Sequence, residues 1–547
     1  MTLPANLHGR RSDAPDGSVG AAGVGAMLRL QWRTGWKVYL IWIVSVVAGY
    51  GFTLTAISGL YGTPDLLAAY GRTVGGDAAI AAINGTPYGA DNLGGVAANE
   101  FAFIAAIAIP MMATHLIVRF TRTPEESGLL ELMRSRAIAS WAPHVAAVLG
   151  ALVAAALVAV GIFGTLVVEA VDAGRSLLYA VSLFMLAAVW AGIALCGAQW
   201  LRRARKVYTV SLVALGLAYA TRAIGDVGGN AWKWLSPLAW QQETRPFADD
   251  ERWWPTALAC GVAIALVAVG VRLAATRDLG SGLVSARPGP ARAGSGARSI
   301  PGRAIAEHRG SILGWTIGAL AVALVFGGLA QEVADAVAEN PQIAEAFGAR
   351  GESHGIDTYL ALTVVILALM ASGFVISAFA KMRADERGGR LEMVLSLAVA
   401  RPRWAAAHVA VILVGLAVVV MVPALGLGVV VALQVDDAGE VGRNLSAGVA
   451  YLPAVAVFGS MSVALFGWLP RAQTVVWALL GYATFIAFLG ATLDWPTWVL
   501  RISPLYSVGT VPAVDVSVGG VVTLTVVAVL LAGVGMIGFS RRDVPAP

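Results

Sequence analysis

A chain of 547 residues that is 58% hydrophobic and only 13% charged, with a mean hydropathy of +0.74, carries more apolar surface than a soluble core can hide, and it reads as an integral membrane protein. Its apolar runs are continuous and do not alternate with period two, which excludes a transmembrane β-barrel. The formal net charge of +5 is explained by basic residues gathering in cytoplasmic loops, so it calls for no nucleic-acid partner.

Residues 1–26 are polar and rich in Gly and Ala, with no apolar stretch of a signal peptide, and are expected to be a disordered cytoplasmic tail. Over 27–37, Trp32, Arg33 and Trp36 combine aromatic rings and positive charge at helical spacing. That pattern fits a helix lying in the membrane interface, or equally an ordinary anchor for the first span. Apolar runs of the roughly 20 residues needed to cross a bilayer follow near 38–60, 98–118, 142–163, 176–200, 207–224, 255–273, 313–330, 358–380, 405–427, 446–468, 473–493 and 518–539. Most of the 38 basic residues then fall on one side and most of the 33 acidic residues on the other. This predicts a multi-pass protein of the plasma (inner) membrane with both termini cytoplasmic.

The expected fold is an all-α polytopic membrane protein of twelve transmembrane helices, arranged as two parallel six-helix repeats. The first half covers 27–277, a Gly/Pro/Ser-rich flexible cytoplasmic linker covers 278–302, the second half covers 303–540, and 541–547 form a cytoplasmic tail. In the second span Phe101, Ile104, Ala108, Met111 and His115 share a stripe read as a packing face, with His115 as an interfacial residue. The segments around Ser236-Pro237-Leu238 and Ser503-Pro504-Leu505, each preceded by Trp residues, are expected to form short Ser-capped helices at the outer interface. The acidic stretch with Glu332, Asp335, Glu339, Glu345 and Glu352 lacks ligand spacing and reads as a solvated face. Cys196 and Cys260 fall in opposite leaflets and form no disulfide.

A short polar segment occurs twice, each time between two apolar runs. Residues 122–139 and 383–400 align at a constant offset of 261, with eight of eighteen positions identical: Arg122/Arg383, Glu125/Glu386, Gly128/Gly389, Leu130/Leu391, Glu131/Glu392, Ser135/Ser396, Ala137/Ala398 and Ala139/Ala400. Each copy is a cytoplasmic hinge in which apolar residues surround a projecting acid. Such a turn can plug a groove in a partner, or simply rest on the membrane surface. None of the four lysines follows a Gly, so there is no Walker A loop, and His-Glu-x-x-His, Gly-x-Ser-x-Gly and Cys-x-x-Cys are absent too. The span interiors lack the carboxylates that a proton- or sodium-driven carrier keeps there. Neither catalysis nor a metal has a visible seat, and energy is expected to enter through the hinges.

The run Glu386-Arg-Gly-Gly389-Arg390-Leu391-Glu392 and its partner Glu125-Glu-Ser-Gly128-Leu-Leu130-Glu131 resemble the hinge of actinobacterial ABC-2 type exporter permeases, the polyketide-antibiotic exporters typified by tetronasin-resistance proteins. The resemblance implies a permease subunit, not itself an enzyme, that extrudes lipophilic drugs or antibiotics. It also implies two copies of a separately encoded ATP-binding subunit, which bind ATP and Mg while this chain binds no cofactor, and docking through Arg122, Glu125, Gly128, Leu130 and Glu131 and through Arg383, Glu386, Gly389, Leu391 and Glu392. The first copy departs from the pattern, with Pro124 in place of Asp385 and Leu129 in place of Arg390. A substrate path between the halves would be lined by Phe101, Met112, Phe374 and Tyr482. The alternative is a proton-coupled exporter of the major facilitator class, whose Asp-Arg-x-Gly-Arg turn is mimicked by residues 385–390. A membrane enzyme using Asp249, Asp250 and Glu251 is a further reading.

Overall fold

The structure is a computed structural model that describes all residues except 1–15, 76–77, 135–137, 283–293, 329, 332–354, 398, 490–494 and 543–547. The acidic stretch, Ser135, Ala137 and Ala398 therefore lie outside the described residues. All regular structure among the described residues is helical, and eleven helices are long and apolar enough to cross a membrane. The chain is a polytopic membrane protein of two units, divided after Pro288, within the segment read as a linker.

In the first unit the leading helix runs without a break over Asp16–Leu60. Its 45 residues extend about 68 Å at 1.5 Å each. The expected tail is thus helical from Asp16, and Trp32, Arg33 and Trp36 sit on the shaft of the first span, not on a separate helix lying in the interface. The following spans are Leu93–Phe120, Ala142–Val168, Ala173–Trp200, Ala204–Val227 and Trp254–Thr276. Asn92 and Asp172 cap two of them, accepting from the backbone N–H of Gly95 (3.0 Å) and Arg175 (2.9 Å). The second and fourth spans form the centre, with 61% and 72% of their apolar stretches buried against 22% for the first and sixth. Small residues such as Ala105, Ala113, Ala187 and Ala191 let these helices approach closely around Tyr50, Phe101, Tyr179 and Trp190. The packing stripe of the second span is Phe101, Ala105, Ile109, Met112 and Leu116, one position out of phase with the expected one, and Ile104 is exposed. A helix apolar on every side gives its sequence little phase information. His115 is half-buried and accepts a hydrogen bond from Trp42 (2.9 Å).

At the end away from the hinge, Glu243 is buried and accepts from Tyr88 (2.7 Å), Lys233 and Arg245 (3.0 Å). Burial by itself would raise its carboxyl, but the hydrogen bond from Lys233, joined by those of Tyr88 and the charge of Arg245, holds it below the usual carboxylate range. Ser236 caps the short helix Pro237–Gln242 as expected.

In the second unit the spans are Ile300–Gly328, Gly355–Arg387, Arg401–Val435, the broken pair Gly439–Ala450 and Leu452–Trp468, and Val518–Arg541. The eighth and tenth spans are central here, repeating the first unit's plan. Gly467 and Gly535 bring the tenth and last spans into contact: a Cβ on Gly467 would stand 2.2 Å from the Gly535 carbonyl oxygen. The expected eleventh span comes as Val475–Leu489, 15 residues or about 22 Å, and its continuation lies outside the described residues. Ser503, unlike Ser236, caps no helix among the described residues, where its buried hydroxyl meets no hydrogen-bond partner.

Candidate coupling hinges

In the first unit the second span stops at Phe120, a five-residue helix Arg122–Glu126 follows, and Gly128 at φ +74° turns the chain into the helix Leu129–Arg134. A left-handed residue costs a side-chain-bearing amino acid about 1–2 kcal/mol, which explains the glycine. Arg122 is almost fully buried. It donates to the Ala198 carbonyl and to the Ser281 carbonyl (3.2 Å), and pairs with Glu125 at 3.0 Å. Glu125 in turn receives two hydrogen bonds from Arg277 (2.8 and 2.9 Å) and one from the Gly280 N–H (2.9 Å). Arg277 also donates to Gln199 (3.1 Å), and Glu126 accepts from the Ala204 N–H (2.5 Å) at the start of the fifth span. The hinge is thereby fastened to the ends of the fourth, fifth and sixth spans. Residues 278–281, expected to be free linker, are part of that fastening.

In the second unit the eighth span continues through Arg387, and Gly389 at φ +68° leads into the helix Arg390–Leu395. Glu386 is buried between Arg383 and Arg542, both at 2.9 Å. Arg542, placed by sequence in a free tail, is held by its own carbonyl, which accepts from Arg401 (2.6 Å). These contacts are ion pairs by distance, but neither oxygen of Glu386 meets hydrogen-bond geometry. Arg390 donates to Asp385 (2.7 Å). The two departures of the first copy are therefore one change: Pro124 and Leu129 replace both members of an ion pair that bridges Gly389.

Apart from the turn glycines Gly128 and Gly389, the hinge residues fall into two classes. Arg122, Glu125, Leu130, Glu386 and Leu391 are buried and Arg383 is nearly so, which makes them fasteners. Glu131 and Glu392, next to the buried Leu130 and Leu391, are exposed. Around them Leu129, Leu132, Met393 and Leu397 are exposed apolar side chains. Arg277 in the first site and Arg542 in the second are members that sequence reasoning missed. Their only signal is a basic residue just after the last apolar run of each half. Phe101, Met112 and Phe374 are fully buried in the core of their own unit, and Tyr482 donates to the Val499 carbonyl (2.6 Å). A path along them would require that packing to open.

Over 540 residues, 97% of this chain and 97% of the relative, the sequence is 30% identical to the "Multidrug efflux system permease protein Rv1217c" of Mycobacterium tuberculosis (strain ATCC 25618 / H37Rv). The chain belongs to the multidrug efflux system permease family. Residues 299–540 also match the family model described as "Multidrug efflux system permease Rv1217c, C-terminal domain". That region begins one residue before the first span of the second unit and ends within its last. The permease is thus a membrane component of the drug-efflux kind.

Proposed function

We propose that this permease is the membrane subunit of an ATP-driven exporter of the ABC-2 type, extruding lipophilic drugs or antibiotics. Two copies of a separately encoded ATP-binding subunit, carrying ATP and Mg, dock on the two hinges. In this reading the hinges and both termini face the cytoplasm across the plasma membrane, and the resemblance of Glu386–Glu392 to the tetronasin-resistance hinge supports an antibiotic exporter of that kind. The observation that carries the reading is the exposed acid on an anchored turn: Glu131 and Glu392 project beside apolar side chains, while Leu130 and Leu391 pin the same turn to the unit. A protruding acid with an apolar surround suits a groove that ends in a basic residue, and the fasteners beneath it would pass a push to the ends of the adjacent spans. The proton-coupled alternative is not favoured, because Asp385 and Arg390, which mimic its turn, pair with each other inside the hinge.

The test is drug uptake into inside-out vesicles holding this chain together with a candidate ATP-binding subunit from the same organism. ATP-dependent uptake that vanadate blocks and an uncoupler spares is expected. Uptake that needs a proton gradient and ignores ATP would overturn the proposal.

A further inference from the structure

On the flank of the first unit, the leading helix and the third span Ala142–Val168 enclose a groove of about 620 Å³. Its ends differ in chemistry. Arg29, Trp32 and Arg33 stand at one end; Ile43, Val153 and Leu157 supply apolar walls further along. Arg29 and Arg33 are four residues apart, so their guanidinium groups project from one helix face. Both are exposed. Neither has an acidic partner among the described residues, and the one hydrogen bond between them is from Arg29 to the Gly25 carbonyl (3.3 Å). From Arg29 to Ile43 the helix rises about 21 Å, enough for a charged headgroup followed by the ~15 Å of one leaflet. Val153 and Leu157 are themselves exposed, so the groove opens sideways, toward the surrounding lipid.

We infer that this groove is a binding site for an anionic phospholipid of the membrane. The phosphate sits between Arg29 and Arg33 and the first carbons of an acyl chain lie against Ile43, Val153 and Leu157. Charge complementarity selects the lipid class: two unpaired cations at the mouth favour a net negative headgroup over a zwitterionic one. The lateral opening favours lipid over a substrate in transit. The site is independent of the ATP-coupling proposal, since it needs neither nucleotide nor partner.

The decisive measurement uses the whole chain in phosphatidylcholine nanodiscs without nucleotide. These are doped at equal low mole fraction with either phosphatidylglycerol or phosphatidylcholine bearing a photoactivatable acyl chain, and the adducts are mapped by peptide mass spectrometry. The phosphatidylglycerol probe should label the peptides around Ile43 and Val153–Leu157 more strongly than the phosphatidylcholine probe, by about fivefold for each arginine contributing. Arg29→Gln combined with Arg33→Gln should bring that ratio close to one. Val153→Trp should remove labelling by both probes there while sparing the exposed Val526–Leu530 face of the last span. Equal labelling in the unmodified chain, or a preference that survives the double arginine substitution, would overturn the site and leave only ordinary boundary lipid. The arginine variant decides the matter even where Val153→Trp does not fold, because both arginines are exposed.

Discussion

Glu125 in the first hinge takes three well-formed hydrogen bonds, two from Arg277 and one from Gly280, whereas Glu386 in the second lies within ion-pair distance of Arg383 and Arg542 without hydrogen-bond geometry. The order reverses nearer the tip. There the second hinge has the Arg390–Asp385 pair across its glycine, and the first has Leu129 and Pro124. The same repeat has thus been braced at its root in one unit and at its tip in the other. The comparison teaches that sequence identity at the acid does not fix how tightly it is held. A distant arginine, placed by the last span, does that.

The largest expected effect tests the root. Arg277→Ala leaves a buried carboxylate with Arg122 as its one remaining charged partner, beside the Gly280 N–H, and should cost about 3–5 kcal/mol, the usual result of removing one partner of a buried pair. Arg542→Ala, which removes contacts already off-angle, should cost less, about 1–3 kcal/mol. Thermal unfolding of the detergent-solubilised chain measures both, and an equal or inverted order would erase the asymmetry. Next come the turns: Gly128→Ala and Gly389→Ala should each lose about 1–2 kcal/mol from positive φ. At Gly128 nothing lies within 4 Å of the added methyl, so strain alone acts, and Gly128→Asn should be milder, as seen in chemical-denaturant midpoints.

Smaller still is Arg390→Leu, which makes the second tip resemble the first. Its guanidinium is largely exposed (64%), and such pairs contribute about 0–1 kcal/mol. A shift well above that range would mean that the tip pair, not the root, braces the second hinge. The smallest effect on stability, within about 0.5 kcal/mol, is expected for Glu131→Arg and Glu392→Arg, because both acids are exposed. Under the proposed docking these same changes should nevertheless abolish ATP-dependent efflux. Variants that unfold, or that keep full efflux, would remove the distinction between fastener and docking residue.

Much of the plan was legible beforehand for a plain reason. Twenty-residue apolar runs admit only helices in a bilayer, and a fixed 261-residue offset exposes a duplicated hinge without any alignment of relatives. The phase of the second span was not legible, since residues on every side of it are apolar. The continuity of Asp16–Leu60 was hidden as well, because polar residues at a helix end look like a separate segment. The ordered turn at 278–281 was masked by its glycine and serine content, which reads as a flexible linker wherever it occurs.

By itself the sequence determined that this protein is a helical membrane permease, doubled, with a polar hinge after the second span of each half. Tertiary structure alone decided what each hinge acid does. Glu125 and Glu131 are the same residue type six positions apart, as are Glu386 and Glu392. The first of each pair is buried because Arg277 or Arg542, about 150 residues further along, arrives beside it at the end of the last span. The second meets no such arginine among the described residues and stays exposed. A carboxylate can leave water only where opposite charge and donors meet it, and that meeting is a property of the packed bundle.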